Sequence, residues 1–313
     1  MGKLKNPKII HRVYFENYPP FRDPFKRFLD TWKKELPDYE IKFWNAETFP
    51  MPLEVDWIKR SLEEEAPVFL SEYIRWKVLK EYGGLYLDAD CEVLNGPKVH
   101  TLLEQLYQSD EYDAFVGVEE RNNGFPTAQT VAAKPDSDLV NFMLNLYEGP
   151  LSSPLWHWKE ERGFIGPQLI SLYFRERGYQ KDKGFFPRLD SPIICEKVKI
   201  YTQDYFSPKF TTTGKQLNVS ENTCIYHLFS NSNVKKVDPE REKHRHNPLL
   251  FKEYCDYLSS LPQVEIESEL SMRRSDGTLD EERVMKFAKE HPVAFLLKTF
   301  RYLRKKLNGK NYS

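Results

Sequence analysis

The chain has 313 residues and 46 Lys and Arg against 47 Asp and Glu, a net charge of −1 that offers nucleic acid no overall basic face. Its 18 Tyr, 21 Phe and 6 Trp describe a packed globule rather than a disordered chain, long enough for one large α/β domain with additions or two modest ones. No apolar run approaches a membrane span, Met1 to Pro7 lacks the apolar stretch of a signal peptide, and four scattered cysteines suit free thiols, so a cytoplasmic protein is expected.

In chain order, Lys8 to Phe15 reads as a first strand, β-branched and apolar. Asp23-Pro24 then supplies an N-cap and a first-turn Pro for a helix carrying Phe25, Phe28, Leu29 and Trp32 on one stripe, and Tyr39 to Trp44 reads as a second strand. Strand, helix and strand in this order predict a crossover unit and a parallel sheet. Asp56 to Glu65 reads as a short charged helix. Pro67 to Tyr82 predicts a longer one, with Phe69, Tyr73, Trp76 and Leu79 on its main apolar face and Ile74 and Val78 behind, so it is expected to be buried nearly all round. Glu72 falls inside that stripe and must be paired or used, by a salt bridge to Arg75 one turn on or by a ligand. Gly83 closes the helix with a positive φ.

Next comes Leu85-Tyr86-Leu87-Asp88-Ala89-Asp90, an apolar run ending in two acids one residue apart. Side chains on a strand alternate faces, so if the strand continues, Asp88 and Asp90 point the same way, roughly 7 Å apart at the backbone. Such a pair needs a cation between its members, and a hard divalent ion carrying a phosphate-bearing ligand fits. Further on, Asn95-Gly96-Pro97 reads as a turn, Val99 to Tyr107 and Asp138 to Tyr147 as helices, and Ala114 to Val118 and Thr127 to Ala133 as strands. Gly149 to Gly166, with Trp156 and Trp158, reads as a loop over a site, and a helix opens at Gly166. Ile193 to Tyr201 contains a strand, and Cys224 to Phe229 is a short one bearing His227. The chain divides at residue 235, with 1–235 the catalytic domain and 236–313 a charged linker and helical extension. From Pro292 onward its apolar residues alternate with Lys and Arg, a basic amphipathic tail suited to an anionic membrane surface or to docking on its own domain.

Ile10-His11-Arg12-Val13-Tyr14, Ser71-Glu72-Tyr73-Ile74-Arg75 and Tyr82-Gly83-Gly84-Leu85-Tyr86-Leu87-Asp88-Ala89-Asp90 together resemble the DXD-containing sugar transferase family. That family spans fungal α-1,6-mannosyltransferases, bacterial capsule and lipooligosaccharide transferases, and the glucosylating domains of large clostridial toxins. The resemblance is strong over the first third, thin to about residue 235 and absent beyond it. It implies a GT-A type α/β fold with a mainly parallel central sheet flanked by helices, and a C-terminal helical extension beyond it. It also implies a Mn²⁺ or Mg²⁺ ion, a nucleotide-sugar donor, and transfer of a hexose with retention. In that setting Asp90 ligates the metal and Asp88 helps hold it or reaches the donor's ribose, while by the same resemblance Tyr14 stacks on the base and Glu72 and Arg75 contact donor sugar and diphosphate. His227, resembling a late His of the family, completes the metal site or packs as a core histidine. Two departures stand out: Glu72 is one methylene longer than the usual Asp, and Tyr14 replaces Trp.

The implied acceptor is a glycan or lipid-linked molecule, as in capsular polysaccharide synthesis, with a UDP-sugar the favoured donor and GDP-mannose the alternative. His11 reads as structural, Glu119 and Glu120 as solvated acids or as a wall of the donor site, and Trp156 and Trp158 as stacking on an acceptor sugar or simply packing their loop. Two other classes compete. A haloacid-dehalogenase-type phosphotransferase also carries Asp-x-Asp at a strand end, but on its first strand and followed by Thr or Val where Glu92 stands. A non-catalytic carbohydrate-binding protein would hold a structural ion, yet has no need of Tyr14, Glu72 and Arg75 together.

Overall fold

A computed structural model describes residues 4–15, 25–119, 125–149, 166–177, 189–208 and 219–228, with Ser152, Trp156, Tyr179, Met285 and Lys289. The elements are β1 (Ile9–Val13), α1 (Lys26–Glu35), β2 (Glu40–Trp44), α2 (Asp56–Glu63), α3 (Pro67–Tyr82), β3 (Gly84–Leu87), β4 (Cys91–Val93) and α4 (Gly96–Gln108). They continue as β5 (Ala114–Glu119), β6 (Phe125–Ala133), α5 (Asp138–Glu148), α6 (Gly166–Glu176), β7 (Ile193–Cys195), β8 (Val198–Tyr201), α7 (Gln203–Phe206) and β9 (Ile225–His227). All of them lie in the first of two compact units, Met1–Asp256 and Tyr257–Ser313. The basic tail, Glu120, Trp158 and the proposed Asp23 cap lie outside the described residues. Among the described residues no helix is long and apolar enough to cross a membrane.

Seven strands form one sheet in the order β2-β1-β3-β6-β5-β8-β7. β1 runs parallel to both β2 and β3, with Ile10 opposite Ile41 and Leu85, which is the crossover arrangement that the strand–helix–strand opening predicts. β6 is inserted antiparallel between β3 and β5, β8 runs parallel to β5, and β7 returns antiparallel along β8. Strands β2, β1, β3, β5 and β8 therefore share one direction, and β6 and β7 oppose it. The sheet is mostly parallel, and helices flank it.

Strand alternation decides what each face of β3 does. Leu85 and Leu87 enter an apolar core with Ile10 and Phe115, closed by Leu29 and Trp32 of α1 and Val99, Leu103 and Leu106 of α4. Tyr86 points the other way, against α3, where the Arg75 guanidinium lies 4.6 Å from its ring centre. The α3 helix is buried on nearly every side, as its sequence predicts, with Tyr73, Ile74, Trp76, Val78 and Leu79 at most 1% exposed. Asn95-Gly96-Pro97, expected as a turn, instead opens α4: the Asn95 side chain accepts the Lys98 N–H at 3.0 Å and Pro97 occupies the first turn.

The extended geometry expected through both acids does not hold. β3 ends at Leu87, and the Cys91 N–H donates to the Asp88 carbonyl at 3.0 Å, so Asp88 to Cys91 is a turn. The turn is forced because the chain leaves the main sheet there. Residues 91–93 pair antiparallel with β9 in a separate two-stranded sheet, placing Cys91 opposite His227. The Leu228 N–H donates to the Asp90 carbonyl at 3.1 Å and extends that pairing into the turn.

Entry into β3 depends on two glycines with positive φ, Gly83 at 63° and Gly84 at 91°. A Cβ on Gly84 would lie 2.6 Å from the Ile9 carbonyl oxygen, inside the β1–β3 pairing. Gly84→Ala is therefore expected to cost about 2 kcal/mol or more, read as a lowered urea midpoint with an unchanged slope. An unchanged midpoint would contradict this account of the junction.

Candidate active site

The site is assembled where α3, the Asp88–Cys91 turn and β9 meet. Arg75 is 9% exposed and donates from Nη1 to the Ala128 carbonyl at 2.8 Å, while its Nη2 stands 3.4 Å from Asp88 Oδ1. The same carboxylate oxygen accepts the Tyr86 hydroxyl at 2.7 Å. Burial opposes the guanidinium charge, but the Asp88 and Glu72 carboxylates hold Arg75 protonated above its ordinary range. Burial, foremost, also raises Tyr86, so its phenol keeps the proton it donates to Asp88.

Asp90, on the other side of the turn, is 7% exposed, and its Oδ1 lies 3.2 Å from His227 Nε2. The same nitrogen is 4.0 Å from Asp88 Oδ2. His227 Nδ1 faces Glu119 Oε1 at 3.5 Å. Burial opposes an imidazolium here, yet Asp90 and Glu119 outweigh it and raise His227 to about 10. Asp90 and His227 thus stand in direct contact, with Cys91 Sγ within 4.8 Å of both, while Asp88 approaches to 4.0 Å from His227 Nε2, across a turn that replaces the expected strand geometry.

The residues fit a divalent ion. Two carboxylates and an imidazole nitrogen form a mixed oxygen and nitrogen donor set, and the proton that holds Asp90 to His227 occupies the place a cation would take. Cys91 Sγ also lies near Asp90 and His227. It is nevertheless a poor ligand: burial pushes its thiol well up, and Sγ is engaged with Gln129 Oε1 at 3.3 Å.

Glu72, 4% exposed on α3, accepts the backbone N–H of Gly166 at 2.5 Å through Oε1. It therefore caps the first turn of α6, a contact the sequence did not announce. A Cβ at Gly166 would come within 2.9 Å of that oxygen, so the glycine permits the approach.

Tyr14 follows β1, and its N–H donates to the Trp44 carbonyl at 3.0 Å. The Arg12 guanidinium sits 4.8 Å from its ring centre, and Phe25 meets the ring edge-on at 6.2 Å. Tyr14 and Asp88 lie at the same end of the parallel pair β1 and β3, beyond the carboxyl ends of the strands, where open α/β sheets bind ligands. His11 is structural, as expected. It accepts the Trp44 indole N–H at 3.1 Å, contacts the Gly83 carbonyl at 2.8 Å, and burial lowers it to about 4. Trp156 is 1% exposed between Trp57 and Phe69 and donates to Glu64, so it packs the protein interior instead of offering a platform for an acceptor.

Residues 23–110 match the family model described as the glycosyltransferase sugar-binding region containing the DXD motif. The matched segment contains α3 and both acids, and it supports a role in glycosyl transfer. Tyr14, Glu119 and His227 lie outside it. Among solved structures, the chain is similar to the PaToxG glycosyltransferase at 18% identity and a TM-score of 0.41, over 55% of this chain and 71% of that one. It is also similar to a glycosyltransferase involved in the glycosylation of the major capsid of PBCV-1, at 13% identity and a TM-score of 0.40, over 75% and 98%. No curated protein matches the sequence.

The raised His227 has a consequence for metal-free protein. With a folded value of about 10 against an ordinary 6.5, His227 contributes stability fully below pH 6.5 and loses it as pH rises towards 10. Urea unfolding in chelator is expected to show stability falling across that window, by at most about 1.4 kcal/mol per pH unit. His227→Gln should flatten the profile, and an equally steep decline in that variant would assign the effect elsewhere.

Proposed function

We propose that this chain is a divalent-ion-dependent hexosyltransferase that uses a nucleotide sugar, a UDP-sugar in the favoured reading, and acts with retention on a glycan or lipid-linked acceptor. The observation that carries the reading is that Asp90 and Asp88 stand beside a buried Arg75, all three inside the segment matched as a sugar-binding region, with His227 Nε2 brought to 3.2 Å from Asp90 and 4.0 Å from Asp88. Asp90, Asp88 and His227 would hold the ion, and the imidazole in the set favours Mn²⁺ over Mg²⁺, which prefers oxygen ligands. When bound, the ion supplies positive charge to the diphosphate of the donor.

The chain's own groups account for the rest. Arg75 keeps its proton under all ordinary conditions and, held by Ala128 and Asp88, presents a fixed cation to the departing nucleoside diphosphate. Its preorganisation matters more than its charge alone, since a guanidinium already fixed needs no reorganisation as leaving-group charge develops. Tyr14, with the Arg12 guanidinium over its ring, would be the aromatic group for the base. Glu72 and the Gly166 backbone that it holds line the pocket for the donor sugar. The acids of the site are committed, Asp88 to Arg75 and Tyr86 and Asp90 to His227. Attack by the acceptor hydroxyl on the face the leaving group vacates accounts for retention without a protein nucleophile. A lipid-linked acceptor on the cytoplasmic side of a membrane, as in capsule synthesis, would suit the basic tail as a peripheral anchor.

The direct test is Asp90→Ala assayed for Mn²⁺-dependent transfer and donor hydrolysis across a panel of nucleotide sugars. Activity is expected to fall by at least about a hundredfold. Wild-type turnover in that variant would refute the metal assignment. A wild-type protein that binds sugars but hydrolyses none of the donors would favour a non-catalytic carbohydrate-binding protein.

A further inference from the structure

The two nitrogens of His227 face two different parts of the fold. Nε2 looks into the turn that holds Asp88 and Asp90, and Nδ1 looks at Glu119. The backbone at His227 is fixed by pairing opposite Cys91 and by the Leu228 N–H on the Asp90 carbonyl. Neither contact fixes the rotation of the imidazole ring about its own bonds. Glu119 can, because it is the last residue of β5, 4% exposed, and paired through its backbone with Phe125 of β6 in the main sheet. His227 belongs to the small sheet, so the contact joins the metal-side nitrogen to the larger, stiffer sheet through the imidazole ring.

We propose that Glu119 is a positioning residue for the metal site: its carboxylate holds the Nδ1–H of His227, so that the Nε2 lone pair points at the space between Asp88 and Asp90. The inference rests on the metal reading given above and adds a residue outside the sugar-binding segment. An imidazole ligand needs its distal N–H engaged if the correct nitrogen is to face the ion, and a carboxylate there also makes the ligand nitrogen more basic. Without that partner the ring can turn, and Nδ1 and Nε2 compete for the cation. The purely structural alternative is that Glu119 only balances a buried positive charge.

The experiment measures Mn²⁺ binding to the full chain by electron paramagnetic resonance and calorimetry, with no donor or acceptor present. Glu119→Leu is expected to weaken binding about 10- to 100-fold. Glu119→Gln, which keeps an oxygen to accept the Nδ1–H, should recover most of the loss. In a His227→Ala background, Glu119→Leu should have no further effect, since there is no ring left to orient. Wild-type affinity in a folded Glu119→Leu variant, or an equal loss in the His227→Ala background, would overturn the proposal and leave the metal site standing. Absence of Mn²⁺ binding by the wild-type protein would instead overturn the metal reading and this inference with it. Should Glu119→Leu fail to fold, the comparison of Glu119→Gln with Glu119→Asp decides. The shorter acid keeps the charge but draws the oxygen away from Nδ1, so it must bind Mn²⁺ more weakly than the amide if position matters more than charge.

Discussion

The architecture depends on one confined electrostatic problem. Asp88 and Asp90 stand on one four-residue turn, Asp90 buried and Asp88 half-buried, and two carboxylates so placed cannot stay charged side by side without compensation. Arg75 and the Tyr86 hydroxyl answer for Asp88, and His227 answers for Asp90. Each partner arrives from a different element: Arg75 from α3, Tyr86 from β3 and His227 from β9. The constraint therefore explains why a helix buried nearly all round carries an arginine, and why a three-residue strand near the end of the domain must pair with residues 91–93 rather than join the main sheet.

The same arrangement explains how the molecule manages without an ion and why it suits one. In the metal-free state a proton on His227 supplies the positive charge the acids require. On the proposed reading a divalent cation would bring more charge to the same place and require the imidazole neutral, so proton and metal would exclude each other at Nε2. Arg75 is not exchangeable in this way. It is permanently charged and tied to a backbone carbonyl, so it sets a fixed field beside a variable one. That pairing would suit the transfer proposed above, with one cation always in place and one bound when needed.

Much of this was legible in the chain. Periodicity placed α3 and its burial, the glycine pair placed the entry to β3, and Asp88, Asp90, Arg75 and His227 could each be singled out by type and context. What local reading missed was long-range geometry. Strand alternation assumed that β3 continued, because nothing in Asp88-Ala89-Asp90 forbids extension; the turn is imposed by β9, more than 130 residues later. Glu119 looked like half of a solvated acid pair, since a strand end next to another acid carries no sign that a histidine will pack against it. Trp156 could be read as an acceptor platform or as loop packing, since composition does not separate a surface platform from a buried anchor, and its burial against Trp57 decides for packing.

Glu72 shows how a single methylene can change which elements a buried side chain joins. The resemblance places a shorter Asp at this position, with a role towards the sugar. Here the longer side chain reaches the Gly166 N–H, where a carboxylate is favoured by the helix dipole and the missing Cβ leaves room for it. The α6 N-terminus and the α3 helix are thus joined through the carboxylate that would face the donor. An Asp on the same backbone would stop short of that N–H, so changing the residue alters two things together: the group offered to the sugar and the position of α6. On the proposed reading, the group offered to a donor at this position would then be set by the Glu72 and Gly166 pair together.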